Sequence, residues 1–120
     1  MLFFADPPVF IKHLDSATVK VGQNVKFEGQ IINSLIVEWF YDDMQITVAE
    51  GTEIFFDRET GTTSLVIENI CPEDSGDYTV RAINDAGISS NSAHLTVQGK
   101  PKNQNAFYQN FQSFNSASFF

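Results

Sequence analysis

The stretch that decides the fold is DSGDYTVRAINDAG, at residues 74–87. Tyr78 precedes Val80 in a run whose alternation of apolar and polar side chains predicts a β-strand. A tyrosine at this spacing is typical of a corner where the phenol hydroxyl bonds to backbone upstream. Residues 84–87, with the sequence NDAG, favour a tight turn because Asn, Asp and Gly tolerate positive φ. The stretch therefore predicts a corner, a strand and a hairpin.

The sequence on both sides of this stretch predicts further short strands. Val25, Phe27, Gly29 and Ile31 alternate with polar residues, which is the pattern of a strand with one wet face. Similar runs separated by turn residues predict the other strands, at residues 9–11, 17–21, 36–41, 44–48, 52–57, 65–67 and 89–97. Many short strands without an amphipathic helix indicate an all-β sandwich.

The chain has the length of one domain with a tail, at 120 residues. Its last twenty residues contain ten Asn, Gln or Ser and no acidic residue, interspersed with Phe and Tyr. This composition is typical of disordered, self-associating segments. We therefore assign residues 1–6 to an N-terminal extension, 7–98 to the folded domain, and 99–120 to a tail that we expect to be disordered or outside the domain.

The charge of the chain limits the classes of partner that it can bind. Residues 1–99 contain 15 acidic and 5 basic side chains, which gives this part a formal charge of −10. Such a surface repels nucleic acid phosphates and anionic lipids, and the sequence therefore predicts neither a nucleic acid nor a membrane as partner. It favours basic proteins, whose binding would weaken as salt is added.

The cysteine usage predicts a reducing compartment. Cys71 is the single cysteine, so no intramolecular disulfide can form, and no Asn-x-Ser/Thr acceptor for glycans occurs. Asp6-Pro7-Pro8 ends the apolar opening well short of a signal-peptide core, and no apolar run has the length of a membrane span. We therefore expect a soluble protein of the cytoplasm.

Together these motifs resemble a known family. Trp39 within a strand, Leu65-x-Ile67, Asp74-x-Gly76-x-Tyr78 and the run from Val80 to Gly87 are similar to the immunoglobulin (Ig) I-set domain. The resemblance implies an Ig-like antiparallel β-sandwich. It also implies that the following residues define the fold: Gly29, Trp39, Leu65, Asp74, Gly76, Tyr78 and Val80.

Two segments narrow the resemblance to a subgroup. Residues 26–29, KFEG, and 39–43, WFYDD, are most similar to intracellular muscle and cytoskeletal members, such as the Ig modules of titin, twitchin, obscurin, myosin-binding protein C and telokin. This implies a non-catalytic module without a cofactor, acting in protein binding or as an elastic spacer in the sarcomere. Implied partners are other Ig modules, myosin or other cytoskeletal proteins. The alternatives are an extracellular adhesion or receptor domain that lacks its disulfide, and a regulatory Ig region flanking a kinase domain.

The chain departs from the family at the inter-sheet disulfide. Gly29 and Val80 occupy the two positions where the family has its cysteines, so a bridge typically contributing about 2–4 kcal/mol is missing. We expect Trp39, with Phe27 or Phe56, to fill the space over Gly29.

The residue types that carry catalysis or bind metals are sparse. His13 and His94 are expected to be surface residues, and Cys71 a buried inert thiol, with a redox or disulfide role as its alternative. The carboxylates are expected to make local hydrogen bonds in turns, with a calcium site as the alternative, at Asp42, Asp43, Glu73, Asp74 and Asp77. We predict no enzyme activity, metal or cofactor.

Edge strands are the predicted binding sites for a partner. A strand at the edge of a sheet has unpaired backbone groups to which an extended partner can add a strand. The candidate residues for this mode are Val9, Phe10, Ile11, Val19 and Val21, and the last strand from residue 89 to 97 offers a further edge.

Overall fold

A computed structural model describes residues 4–100, in which β-strands form two sheets packed face to face. The strands are β1 Val9–Lys12, β2 Ala17–Lys20, β3 Val25–Ile32, β4 Ile36–Tyr41, β5 Met44–Gln45, β6 Thr52–Phe56, β7 Thr62–Ile67, β8 Gly76–Asn84 and β9 Gly87–Gln98. A single 3-10 turn, Pro72–Asp74, precedes β8. The predicted all-β sandwich is confirmed.

The order of the strands is β1-β3-β7-β6 in one sheet and β2-β9-β8-β4-β5 in the other. Neighbouring strands are antiparallel except β2 and β9, which pair in parallel from Ala17–Leu95 to Lys20–Gln98. β1 and β2 are close in sequence, but they lie in different sheets, because the chain crosses to the opposite sheet between Lys12 and Ala17. Local alternation predicts a strand, but it does not specify which neighbour the strand pairs with.

The core lies between the inward faces of the two sheets. In β3 the inward residues Val25, Phe27, Gly29 and Ile31 are buried, as their alternation with polar residues requires. The side chains with essentially no exposed surface come from both sheets and from the connection after β7, namely Phe27, Ile31, Trp39, Thr63, Leu65, Ile70, Val80 and Leu95. Apolar burial between the layers is the main favourable term that holds them together.

The predicted edge strand at residues 44–48 is shorter in the structure, where β5 contains only Met44 and Gln45. Residues 1–3 and 101–120 lie outside the described residues, and so does nearly all of the predicted tail. The boundaries of the domain therefore stay a prediction.

Candidate functional site

The corner before β8 is held by hydrogen bonds from Tyr78 and Asp74. The Tyr78 hydroxyl donates to the Asp74 carbonyl oxygen at 2.6 Å, and the Asp74 carboxylate accepts from the Cys71 N–H at 2.7 Å. The 3-10 turn between them brings these groups together, since the Asp74 N–H also bonds to the Cys71 carbonyl. The two residues fix the path by which the chain passes from one sheet to the other.

A second tyrosine, which the sequence analysis missed, reinforces this corner. The Tyr41 hydroxyl lies 2.7 Å from the Ser75 carbonyl oxygen and 3.0 Å from that of Glu73. Its ring centroid is 5.1 Å from that of Tyr78. Gly76 makes this approach possible, because it has a φ of +147° and an added Cβ would lie 2.9 Å from Tyr41 Cε1.

Both tyrosines hold their protons more strongly than a free phenol. Burial is the main cause that raises the pKa of Tyr78, with smaller contributions from the charges of Asp74 and Asp42. The pKa of Tyr41 is also raised, mainly by desolvation and then by Asp42 and Asp74. Both groups therefore stay neutral hydrogen-bond donors well into the alkaline range.

Leu14 occupies the space over Gly29, which corrects the expectation for Trp39, Phe27 and Phe56. A Cβ built on Gly29 would lie 3.3 Å from Leu14 Cδ2 and 3.2 Å from the Lys12 carbonyl oxygen, with no atom of those three aromatic residues within 4 Å. Leu14 is 7% exposed and belongs to the core cluster, although it lies in the connection between β1 and β2. A leucine from this crossing thus fills the space beside the glycine.

A buried hydrogen-bond chain joins the two sheets near the same place. Trp39 Nε1 on β4 donates to Thr63 Oγ1 on β7 at 3.1 Å, and this hydroxyl donates to the Phe55 carbonyl oxygen on β6 at 2.8 Å. Trp39 and Val80 are register partners within one sheet, and Gly29 and Thr63 are register partners within the other. The chain of polar contacts therefore connects the sheets beside the two positions where the cysteines are absent.

Asn84 organises the turn between β8 and β9. Its Nδ2 group donates to the carbonyl oxygens of Asp6 at 2.8 Å and Asn33 at 2.7 Å. Its Oδ1 accepts from the N–H groups of Ala86 and Gly87. The side-chain amide of Asn84 thus ties the hairpin to the N-terminal segment and to the β3–β4 connection.

The outer face of the five-stranded sheet has three distinct zones. Register pairing aligns Ile36 with Ile83 and Ile83 with Ile88, and we call these three side chains the isoleucine row. In the middle, Arg81 Nη2 lies 2.7 Å from Glu38 Oε1, and the guanidinium carbon is 4.6 Å from the centre of the Phe40 ring. At the far end lie three exposed carboxylates, which we call the acidic end: Asp42, Asp43 and Asp77.

Each histidine has a polar side chain of another segment within hydrogen-bond distance. His94 Nδ1 lies 2.8 Å from Asp77 Oδ1, and His13 Nδ1 lies 2.7 Å from Asn91 Nδ2. Both histidines are exposed. Within residues 4–100 no group of three or more His, Cys, Asp or Glu side chains is arranged to hold a metal ion.

Cys71 is half-buried rather than fully buried. Its pKa is raised, chiefly by desolvation and further by the charges of Asp74 and Glu73. Because the thiolate is the reactive form, this environment lowers the reactivity of the thiol at neutral pH.

The edges of the sheets are open to different extents. β1 pairs only with β3, and its register is interrupted between Phe10 and Lys12. At the end of β2, the Lys20 N–H bonds to the Gln23 side chain and the N–H of the following Val21 bonds to the Gln98 carbonyl oxygen, so these two donors are occupied. Val9 and Ile11 are 47% and 54% exposed, whereas Val19 packs against the core. Of the first two predicted edges, β1 is therefore the more accessible. The prediction that the last strand offers a further edge is wrong, because β9 lies between β2 and β8.

The chain matches one protein family and is similar to several muscle proteins. The family model described as "Immunoglobulin I-set domain" matches residues 8–97. The chain is 34% identical over 77% of its length to the muscle M-line assembly protein unc-89 of Caenorhabditis elegans, of which the match covers 1%. It is 36% identical over 80% of its length to the smooth muscle myosin light chain kinase of Gallus gallus, of which the match covers 5%.

Solved structures are similar as well. The titin M3 domain superimposes with a TM-score of 0.73 at 31% identity, covering 79% of this chain and 100% of that domain. The described residues include no helix long and apolar enough to cross a bilayer.

Proposed function

Because this chain belongs to the immunoglobulin I-set family, we propose that it is a binding or spacer module of a large muscle or cytoskeletal protein and has no catalytic role of its own. The observation that carries this proposal is the match of almost the whole sandwich to muscle proteins at 34% and 36% identity. The chain spans only 1% and 5% of those two relatives. A module of this size acts through its surface, since function on such folds resides in particular sites.

The same relatives support a place in the sarcomere or cytoskeleton, and hence in the cytoplasm. The lone Cys71, which leaves the two sheets without a covalent link, agrees with a reducing compartment. The extracellular alternative receives no support from the relatives.

The charge and the edges of the molecule point to its mode of binding. The net charge of −8 favours a basic partner, of which a region of myosin is our leading candidate. An extended segment of such a partner would add to the β1 edge at Val9, Phe10 and Ile11, with Val19 and Val21 beside the neighbouring β2 edge.

Co-sedimentation with purified myosin filaments tests this proposal. We expect binding at low salt that weakens as salt is added, because exposed charges are screened. Absence of binding at low salt, or binding indifferent to salt, would contradict a basic partner.

A variant of the edge separates strand addition from general attraction. Ile11→Glu places a charge on the β1 edge, which disfavours strand pairing, while it makes the molecule more acidic. Weaker binding of this variant therefore supports strand addition at β1, and unchanged or tighter binding argues against it.

A further inference from the structure

The outer face of the five-stranded sheet carries an unusual distribution of side chains for a solvated surface. Ile36 and Ile88 of the isoleucine row are 49% and 60% exposed, and they lie side by side with Ile83 on three adjacent strands. Scattered exposed apolar residues are common, but a contiguous apolar group on a flat sheet marks a contact surface.

In the middle of this face, the charges of the side chains are paired. Arg81 is the one Lys or Arg on β4, β5, β8 and β9, and it is engaged by the Glu38 carboxylate and by the Phe40 ring. A partner that lies across this zone meets a neutral, flat surface formed by a paired charge and an aromatic ring.

The opposite end of the face is negative. Shallow hollows there are lined by Asp42, Asp43, Thr79 and Ser92, among others. His94 contacts Asp77, while no Lys or Arg of the neighbouring strands is within salt-bridge distance of the acidic end among the described residues. The free charge of this zone attracts cations on a partner.

We propose that this face is a docking surface for a basic amphipathic protein segment, whose apolar end covers the isoleucine row and whose Lys or Arg residues reach the acidic end. This inference rests on the proposed role in protein binding and names the surface and the chemistry of the partner. Complementary charge selects this occupant over a second copy, since two chains that each carry −8 repel one another.

The geometry also sets the size of the segment. Residues 77 and 83 on β8 mark the two ends of the face, and six strand residues span about 20 Å at ~3.3 Å each. An α-helix covers the same distance with about 13 residues, at ~1.5 Å each. A helical partner segment therefore has three to four turns, with apolar residues at one end of one stripe and basic residues at the other.

A designed peptide tests the inference. The probe is a helical peptide of about 14 residues with leucines at one end of a single stripe and lysines at the other end. The control peptide has the same composition, with leucines and lysines intermixed along the stripe. We expect the probe to bind at least about fivefold more tightly than the control at low salt, and to shift backbone amide resonances of β4, β8 and β9.

Matched variants locate the contact. Ile36→Ser is expected to weaken binding of the probe at least about fivefold, and Asp43→Asn to weaken it about twofold and reduce its salt dependence. Ile32→Ser is the control, because Ile32 is 44% exposed but lies on the other sheet, and it should leave the affinity unchanged. Ile88→Ser provides a second test if Ile36→Ser loses the dispersed amide spectrum of a folded domain.

Several outcomes would overturn the inference. They are equal affinity for the two peptides, resonance shifts confined to β1 or β6, no binding of the probe, or self-association that Ile36→Ser abolishes, which would identify a second copy as the occupant. If the probe fails while Ile36→Ser still co-sediments with myosin filaments, this surface is wrong and the proposed function stands.

Discussion

Thr63 uses one hydroxyl group to satisfy polar groups on both sheets. It accepts from the Trp39 indole N–H and donates to the Phe55 carbonyl oxygen, and it has essentially no exposed surface. Water therefore cannot replace it.

Thr63→Val keeps the shape of the side chain and removes this hydroxyl. A buried donor left without a partner costs about 1–3 kcal/mol, so the free energy of unfolding in urea should fall by about that amount. Thr62→Val is the matched control, because the Thr62 hydroxyl bonds only to Thr60 in an exposed position, and it should change stability by less than ~0.5 kcal/mol. Equal losses in the two variants would contradict a bridging role for Thr63.

Leu14 and Gly29 form a pair of complementary sizes. Leu14→Ala should cost about 2–5 kcal/mol, because it leaves a cavity beside the glycine. Gly29→Ala should be less costly in that background than in the wild type, since its Cβ would no longer meet Leu14 Cδ2 at 3.3 Å.

The coupling between the two substitutions is the quantity to measure. Urea unfolding of the single and double variants should give an interaction energy of about 0.5–3 kcal/mol. Additive effects would mean that the two side-chain positions do not share one space.

Tyr78→Phe removes one hydrogen bond, and we expect a loss of about 1 kcal/mol at neutral pH. The pKa of Tyr78 is raised in the folded state, so its contribution is fully present below the unfolded value of about 10 and is lost as pH rises through the folded pKa. Stability should therefore fall above about pH 10, by at most ~1.4 kcal/mol per pH unit for this group.

Chemical unfolding followed from neutral to alkaline pH measures this slope. The slope should be shallower in Tyr78→Phe, and what remains reports other groups such as Tyr41, whose pKa is also raised. An identical slope in wild type and variant would exclude Tyr78 as its source.

At the scale of elements, the side chain of Asn84 holds the β8–β9 hairpin. Asn84→Ala removes four hydrogen bonds, each worth about 0.5–1.5 kcal/mol, so a loss of about 2–6 kcal/mol is expected.

Amide hydrogen exchange should speed up together at residues 84–87 and at the β3–β4 connection, because both are tied to this side chain. Asp85→Ala, in the same turn but exposed, is the control and should change stability by less than ~0.5 kcal/mol. Faster exchange confined to the turn would contradict the wider role of Asn84.

The sequence predicts elements better than the contacts between them. Alternation in β3 and β8 is a local property, so their inward faces could be predicted from residue order alone. Leu14 lies in an irregular connection without a periodic pattern, so its position over Gly29 could not be predicted from residue order. The same holds for Tyr41, which bonds to carbonyls more than thirty residues away, and for the parallel pairing of β2.

At the scale of the whole molecule, the excess of acidic side chains opposes compaction. The chain contains 15 acidic and 7 basic residues, and the self-repulsion of such a charge destabilises the folded state. Moderate concentrations of sodium chloride screen this repulsion, so the midpoint of thermal unfolding should rise between low and physiological ionic strength. A falling midpoint would show that attractive charge pairs, such as Arg81 with Glu38, outweigh the repulsion.

The absence of cysteine at positions 29 and 80 has a consequence for the conditions in which the module can work. At these positions the space between the layers is filled by the Leu14 side chain and bridged by the Thr63 hydroxyl, neither of which thiol reductants or glutathione can attack. The contact between the sheets at these two positions is therefore independent of redox potential, and thiol reductants should leave the free energy of unfolding of the domain unchanged.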